Sequence, residues 1–443
     1  MQYQVSNRQI LKLAAPISLS ILIPQVSFMA NAVFLGRLGK MELVVNGLTS
    51  IFYLLLTYVG FGLSNGILVL LSRRVGARDI KGLCRTFANS ILLSVAMAAC
   101  IILLTIWLAP VLFIHTIHEE AIYFKTIDYL FLRMWGLPFL MLTQLVNVFF
   151  ISIGRSRYLI YGALTANLIN IFLDYALIFG KLGFPSMGLK GAAVASIIAE
   201  VVFCIVMYIL FFNRKNYRKY PVLQYLKFDW AITRQMMKVS SPLIVQYLFG
   251  IGGWQLFYIY VEHLGVTQLA ASHILRSVLG IVSIGTWALA STCNSMVSNL
   301  MGQGKPDMVI KLVRKIMTIS ILYTLCISFF LFVFPHTFLR FYTDKPEIVS
   351  MGILSLRVLA LSSLIMSLAT ICFNAVVGSG NTLVNLGIEL FCVAAYVVYV
   401  TIVIEKWRMP LHYGWASEFV YWGCLLMVSG IYLWSGKWKN KVI

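Results

Sequence analysis

The chain has 443 residues, of which 60% are hydrophobic and only 11% charged; an average soluble domain has about 45–50% and about 25%. Against 15 Asp and Glu stand 35 Lys and Arg, giving a formal charge of +20, and mean hydropathy is +0.88. These values exclude a disordered chain, argue against a soluble enzyme and put most of the chain in lipid. No nucleic-acid partner is expected, because the basic residues are scattered among apolar runs and no zinc, helix-turn-helix or RNA-binding motif accompanies them.

A membrane helix needs about 20 predominantly apolar residues. Twelve such stretches follow in chain order, over residues 10–35, 44–71, 87–113, 123–150, 158–180, 189–212, 239–262, 269–299, 312–335, 348–377, 384–404 and 413–434. Runs this long, without strand alternation, argue against an outer-membrane barrel. The intervening segments are too short for a soluble domain. With the N-terminus placed in the cytoplasm, 23 of the 35 basic residues fall in cytoplasmic segments, ending with Lys437, Lys439 and Lys441. Nine fall outside, and Arg133, Arg276 and Arg357 fall within spans. Because Lys and Arg are retained on the cytoplasmic side, both termini are expected there, in a plasma (cytoplasmic, or inner) membrane. The opening segment is polar and runs into the first span with no small-residue cleavage pattern. The eight cysteines are scattered without a CxxC pair and read as small core residues.

The two halves resemble each other. Lys12-Leu-Ala-Ala-Pro16 recurs as Lys238-Val-Ser-Ser-Pro242, a shift of 226 that also carries Leu38, Gly39 and Leu43 onto Leu264, Gly265 and Leu269, and Ser72 and Gly76 onto Ser298 and Gly302. A shift of 224 takes Gly154 to Gly378. Together these matches predict an all-α integral membrane protein of twelve transmembrane helices, in two six-helix lobes related by an internal repeat. The expected division is 1–212 for the first lobe, 213–238 for a basic cytoplasmic linker and 239–443 for the second lobe. Repeats of this kind are a transporter signature.

The run Asn167-Leu-Ile-Asn170-Ile-Phe-Leu-Asp174-Tyr-Ala-Leu-Ile-Phe-Gly180, continued by Gly183-Phe-Pro-Ser-Met-Gly188-Leu-Lys-Gly191-Ala-Ala-Val-Ala-Ser196, resembles the multidrug and toxic compound extrusion (MATE) family. So do Phe34-Leu-Gly36-Arg-Leu-Gly39, Ser72-Arg-Arg-Val-Gly76-Ala and Gly378-Ser-Gly-Asn-Thr382. The likeness covers essentially the whole chain. It implies cation-coupled export of small, drug-like organic compounds, often cationic. Lipid-linked oligosaccharide flippases of the same superfamily share the fold and are the alternative.

Ionisable groups inside a membrane are expensive and are functional candidates by default. Asp174 is the best placed, at mid-depth in the fifth span, with Asn170 four residues earlier on the same face and Asn167 extending the stripe. A carboxylate there can take up and release a proton, or, with amide and hydroxyl oxygens, hold a sodium ion. The resemblance implies a cation site of Asp174, Asn170, Asn147 and Ser196. It also exposes a departure, because Asn31 stands where many members carry an Asp, leaving one carboxylate in place of two. No helix 7 acid is found either, since Gly250 occupies that position. Glu200 and Glu389 are expected to pair with Arg276 or Arg357 inside the bundle, and His273 to pack as a polar residue.

Pro16 and Pro24 interrupt the first span, and proline frees a backbone carbonyl and permits a kink. Pro16 is the candidate hinge. Phe28, Phe150, Tyr161, Tyr247 and Trp254 are candidates for stacking on a planar cationic substrate. No metal-ligand spacing appears, and no HxxxxD, HExxH or Ser/His/Asp cluster, so an enzyme is not expected. The partners expected are a small-molecule substrate and membrane lipid, the chain acting as a monomer with no cofactor beyond the coupling ion, H⁺ or Na⁺.

Overall fold

Each of the twelve apolar stretches is helical in a computed structural model that describes residues 2–117 and 119–439. Lys441 lies outside the described residues. The spans are α1 (Asn7–Leu38), α2 (Lys40–Gly76), α3 (Ile80–Thr116), α4 (Glu120–Arg133) continued by α5 (Leu137–Ser152), α6 (Arg157–Phe179) and α7 (Gly188–Phe212) in the first half. After the short α8 (Arg214–Lys219) come α9 (Trp230–Leu264), α10 (Val266–Gly302) and α11 (Met308–Val333). The short α12 (Pro335–Tyr342) leads to α13 (Pro346–Gly378) and α14 (Thr382–Val400), then α15 (Leu411–Trp415) and α16 (Ser417–Trp434). Among the described residues there is no strand, and twelve helices are long and apolar enough to cross a membrane. The chain is an integral membrane protein. At 37 residues, α2, α3 and α10 run about 55 Å, well beyond the ~30 Å hydrocarbon core.

The seventh span starts at Trp230 and takes residues 230–238 from the expected linker. Its start is set by Asp229, whose Oδ1 accepts from the backbone N–H groups of Ala231 and Ile232 at 3.0 and 3.3 Å. This is the capping that an unsatisfied helix start requires. The other Asp229 oxygen meets Arg85 at 2.7 Å. The remaining linker docks on the protein: Tyr220 is buried and stands edge-on to Phe149 at 5.4 Å.

Contacts group the chain into two compact units that are discontinuous in sequence. Unit 1 comprises Met1–Ser18, Ser72–Arg78 and Ser241–Ile443; unit 2 comprises Leu19–Leu71 and Asp79–Ser240. These differ from the contiguous halves expected from the repeat, for a physical reason. Ile10, Leu13 and Ala14 of α1 are buried in one apolar cluster with Cys293 and Met296 of α10, Leu312 of α11 and Ile371 of α13. The Tyr3 backbone N–H donates to Asn299 Oδ1 at 2.9 Å, and Gln303 Nε2 donates to the Tyr3 carbonyl at 3.1 Å.

Unit 1 also contains a crossing of repeat-related residues. A Cβ on Gly76 would collide with the carbonyl of Asn299, and one on Gly302 with the carbonyl of Arg73. The shift of 226 relates Gly76 to Gly302 and Arg73 to Asn299, so the last turns of α2 and α10 make one contact twice, in mirrored roles. Ser72 and Ser295 share a hydrogen bond of 2.9 Å there, and Asn299 Nδ2 donates to the Ser72 carbonyl at 3.2 Å. Small residues permit this backbone approach in lipid, and side-chain hydrogen bonds reinforce it.

Unit 2 has an aromatic core. Phe87, Phe149 and Phe211 lie with ring centroids 4.7 to 5.1 Å apart, and Phe150 packs beside them on Tyr158 at 4.8 Å. Its second anchor is ionic. Arg133, at the break between α4 and α5, meets both oxygens of Glu200 on α7 at 2.6 and 2.9 Å, and its NH1 donates to the Tyr53 hydroxyl at 3.1 Å. The two charged side chains are 15% and 14% exposed. Glu200 thus pairs with Arg133, not with Arg276 or Arg357 as expected. Hydropathy cannot tell which spans face each other, and here the fourth and sixth do.

Two stability predictions follow from these contacts. Glu200→Gln leaves Arg133 uncompensated and should cost about 3–5 kcal/mol, read as a lowered thermal unfolding temperature of the purified chain. The double replacement Arg133→Met with Glu200→Leu should recover most of that loss. Gly302→Val meets backbone that cannot rotate away, and should cost about 1–3 kcal/mol by overpacking in the same assay.

Candidate functional site

The strongest candidate site lies in unit 2, on the polar face of α6. Asp174 is fully buried and sits within a helix whose Asn167, Asn170 and Asp174 are spaced to share one side. Asn31 of α1 donates from Nδ2 to Asp174 Oδ2 at 3.2 Å. Four residues earlier on α1, the Ser27 hydroxyl donates to the Asn167 carbonyl at 3.3 Å, so two polar links hold the same helix pair. The other carboxylate oxygen, Asp174 Oδ1, is buried and accepts no hydrogen bond among the described residues.

Around it the polar valences are incomplete in the same way. Asn170 Nδ2 and, on α5, Asn147 Oδ1 are buried and also make no hydrogen bond among the described residues. Ser196 is half-buried on α7. Of the residues expected to form a cation site, the structure joins Asn31 and Asp174 directly and puts Asn170 one turn before the acid. Asn147 and Ser196 come from the neighbouring α5 and α7 and make no hydrogen bond to it. The donor set is one carboxylate with amide and hydroxyl oxygens, which are hard ligands. It suits a proton on the free carboxylate oxygen or a hard monovalent cation, whereas a native pair of carboxylates is ruled out by Asn31.

The other sequence candidates divide. Phe150 is fully buried in the aromatic core and cannot line a cavity, which corrects its assignment to a substrate surface. A run of aromatics does not reveal which of them face inward. Phe28 and Tyr161 are 65% and 58% exposed. Tyr247 and Trp254 are half-buried on α9, and Trp254 lies under the Arg276 guanidinium at 4.8 Å. Pro16 is buried in a continuous α1, two residues before the helix passes from unit 1 to unit 2. Its repeat partner Pro242 lies two residues past the corresponding boundary on α9.

Glu389 is a further correction. It does not pair with Arg276 or Arg357; it is buried and accepts a hydrogen bond from the Tyr421 hydroxyl at 2.8 Å. Arg276 stacks over Trp254 and Tyr258, and Arg357 is exposed on α13, its Nε donating to the Phe332 carbonyl at 3.4 Å. His273 packs flat on Tyr258 with ring centroids 5.3 Å apart.

Comparison with known proteins agrees with this architecture. The MatE family model matches twice, over residues 16–176 and 242–402. The two matches begin at Pro16 and Pro242, related by the same shift of 226 as the internal repeat. The chain is 22% identical over 441 residues to a probable multidrug resistance protein NorM of Thermotoga maritima, covering 99% of this chain and 94% of that one. It is 22% identical to the probable multidrug resistance protein YoeA of Bacillus subtilis, covering 97% and 93%. Among solved structures, an outward-facing multidrug resistance MATE family transporter of the MOP superfamily superposes with a TM-score of 0.88 at 18% identity, over 98% of this chain and 96% of that one. Matched by the family model in both halves, this chain belongs to the MatE family.

Proposed function

We propose that this chain is a secondary antiporter that exports small organic, often cationic, compounds, driven by inward movement of H⁺ or Na⁺. The observation that carries the reading is the buried Asp174, held on one oxygen by Asn31 and open on the other. An idle carboxylate in that setting is expensive, and one that exchanges a cation has a use. Membership of the MatE family and the multidrug-resistance names of its relatives support efflux as the activity. Cation binding at Asp174 would favour one conformation and substrate the other, each shifting the balance only by its differential affinity for the two. Pro16 serves as the hinge of α1, and the exposed rings of Phe28 and Tyr161 stack on substrate. The chain works as a monomer in the plasma membrane, with both termini in the cytoplasm and no cofactor beyond the coupling ion.

A lipid-linked oligosaccharide flippase would need free basic side chains for a pyrophosphate. Arg133 is neutralised by Glu200, Arg276 is stacked on aromatic rings, and Arg357 is exposed on α13. That arrangement favours the antiporter.

In proteoliposomes with pH and sodium gradients imposed separately, one gradient should drive efflux, and Asp174→Asn should abolish the driven component while the protein stays folded. Normal driven efflux in that variant sinks the mechanism. Asn31→Asp places a second carboxylate at hydrogen-bond distance from the first. Two coupled acids titrate in two macroscopic steps, so the efflux rate against pH should change from a single step to two.

A further inference from the structure

The polar pattern of α6 occurs a second time. Asn385 and Glu389 on α14 are four residues apart, as Asn170 and Asp174 are on α6, and α14 is the repeat counterpart of α6. The spacing was not legible as a repeat because its position has moved. The repeat places about Val398 opposite Asp174, and that valine is 58% exposed. Glu389 lies nine residues earlier in α14, about 13 Å along the helix axis.

The helices around it correspond to those around Asp174, but the bonds differ: Asn31 meets its acid and Gln246 the asparagine, while Tyr421, unlike Ser196, bonds the acid. In unit 2 an amide from α1 reaches the α6 face; in unit 1 an amide from α9, the counterpart of α1, does the same. Gln246 Oε1 accepts from Asn385 Nδ2 at 2.6 Å. On α7 the sequence offers Ser196; an offset of 225, between the 224 and 226 of the other repeat matches, brings it to Tyr421 on α16. The Tyr421 hydroxyl donates to Glu389 Oε1. The second oxygen, Glu389 Oε2, and the side-chain Oδ1 of Asn385 are both buried without a hydrogen bond among the described residues. Glu389 is 3% exposed and Asn385 fully buried. From α9, Gly250 presents no side chain, and a Cβ there would stand 3.2 Å from Glu389 Oε1.

The titratable groups near Glu389 are Tyr421 on α16, Glu418 one turn before it and Cys424 one turn after it, and Cys392 and Tyr396 on α14 itself. The α13 residues packed into the same cluster, Ala369 and Phe373, are apolar, and α9 contributes Gln246 and Gly250. Glu418 is engaged by Trp422, whose Nε1 donates to Oε2 at 2.7 Å. Among the described residues no Lys, Arg or His is hydrogen-bonded or ion-paired to Glu389, so none of them fixes it as a carboxylate.

We propose that unit 1 carries its own proton-binding carboxylate, Glu389, in a polar pocket built by Asn385, Gln246 and Tyr421. The proton adds to Oε2, and Tyr421 holds the other oxygen in either protonation state. This site goes beyond the transport reading and stands without it, because proton binding is measured on the isolated chain.

The test is infrared difference spectroscopy of the purified full-length protein between acidic and alkaline buffer. Glu389→Gln, which keeps an oxygen for the Tyr421 hydroxyl, should lose one protonated-carboxyl band that Asp174→Asn retains. Tyr421→Phe removes the donor to Oε1 and should shift both the frequency and the titration midpoint of that same band. If a folded Glu389→Gln gives the wild-type spectrum, or if Asp174→Asn removes the same band, the proposal is overturned. A band abolished at constant pH when sodium chloride replaces choline chloride would assign the pocket to sodium instead and overturn it equally. Should Glu389→Gln fail to fold, Tyr421→Phe decides alone, an unshifted band counting against the site.

Discussion

Hydrocarbon offers a polar side chain nothing to bond with, so every acid buried in these helices must find its partner in the protein. That constraint orders the interior. Glu200 meets it with charge, in a two-pronged pair with Arg133 backed by the Tyr53 hydroxyl. Asp174 and Glu389 meet it only in part, each with one oxygen held by a neutral donor and the other without one among the described residues. A fully paired acid has nothing to gain from a proton. A half-satisfied one does, because the buried atom left unbonded carries a desolvation penalty of about 1–3 kcal/mol. On the proposed reading, the hydrogen bonds divide the acid that serves structure, Glu200, from those that exchange a cation.

The same constraint accounts for the scaffold. Without water to squeeze out, helices in lipid associate through close packing and polar links. Gly76 and Gly302 let the ends of α2 and α10 approach backbone to backbone, and Ser72, Ser295 and Asn299 tie them. Repeat-related residues make both sides of the contact, so one sequence solution serves twice. The duplicated frame has then been polarised. The unit 2 acid lies in the last third of α6, while the unit 1 acid lies just before the middle of α14, with an exposed valine at the repeat position.

Sequence alone reveals whatever a single helix decides for itself. The twelve spans depend on hydropathy alone, and all twelve stretches are helical, the seventh beginning nine residues early; Asn170 and Asp174 depend on 3.6-residue spacing and lie on one helix. The start of α9 depends on one capping aspartate, Asp229, amid a basic polar segment, and hydropathy passes over it. Whatever two helices decide together is hidden. Glu200 is expected to pair with Arg276 or Arg357, and its partner Arg133 is revealed only where α4 and α7 meet. Phe150 looks like a ring free to stack until Phe149 and Phe211 close around it. The Asn385–Glu389 pair has the signature of Asn170–Asp174 in plain view, but strict repeat alignment looks nine residues too late.

The two prolines that open the family matches bring these threads together. Pro16 and Pro242 are repeat partners, and each lies two residues from the point at which its helix, α1 or α9, leaves one compact unit for the other. A proline lacks the N–H that would bond to the carbonyl four residues back, so the helix is one hydrogen bond short there. The first turns of α1 are locked into the core of unit 1 by Ile10, Leu13 and Ala14, whereas Asn31, further along the same helix, is bonded to Asp174 in unit 2. In the proposed mechanism, a helix held at one end by packing and at the other by a hydrogen bond to Asp174 would pass a change at the acid on to its own direction. On the proposed reading, the Asn31–Asp174 bond is the part of α1 that a cation would make or break, and Pro16 is where α1 would yield.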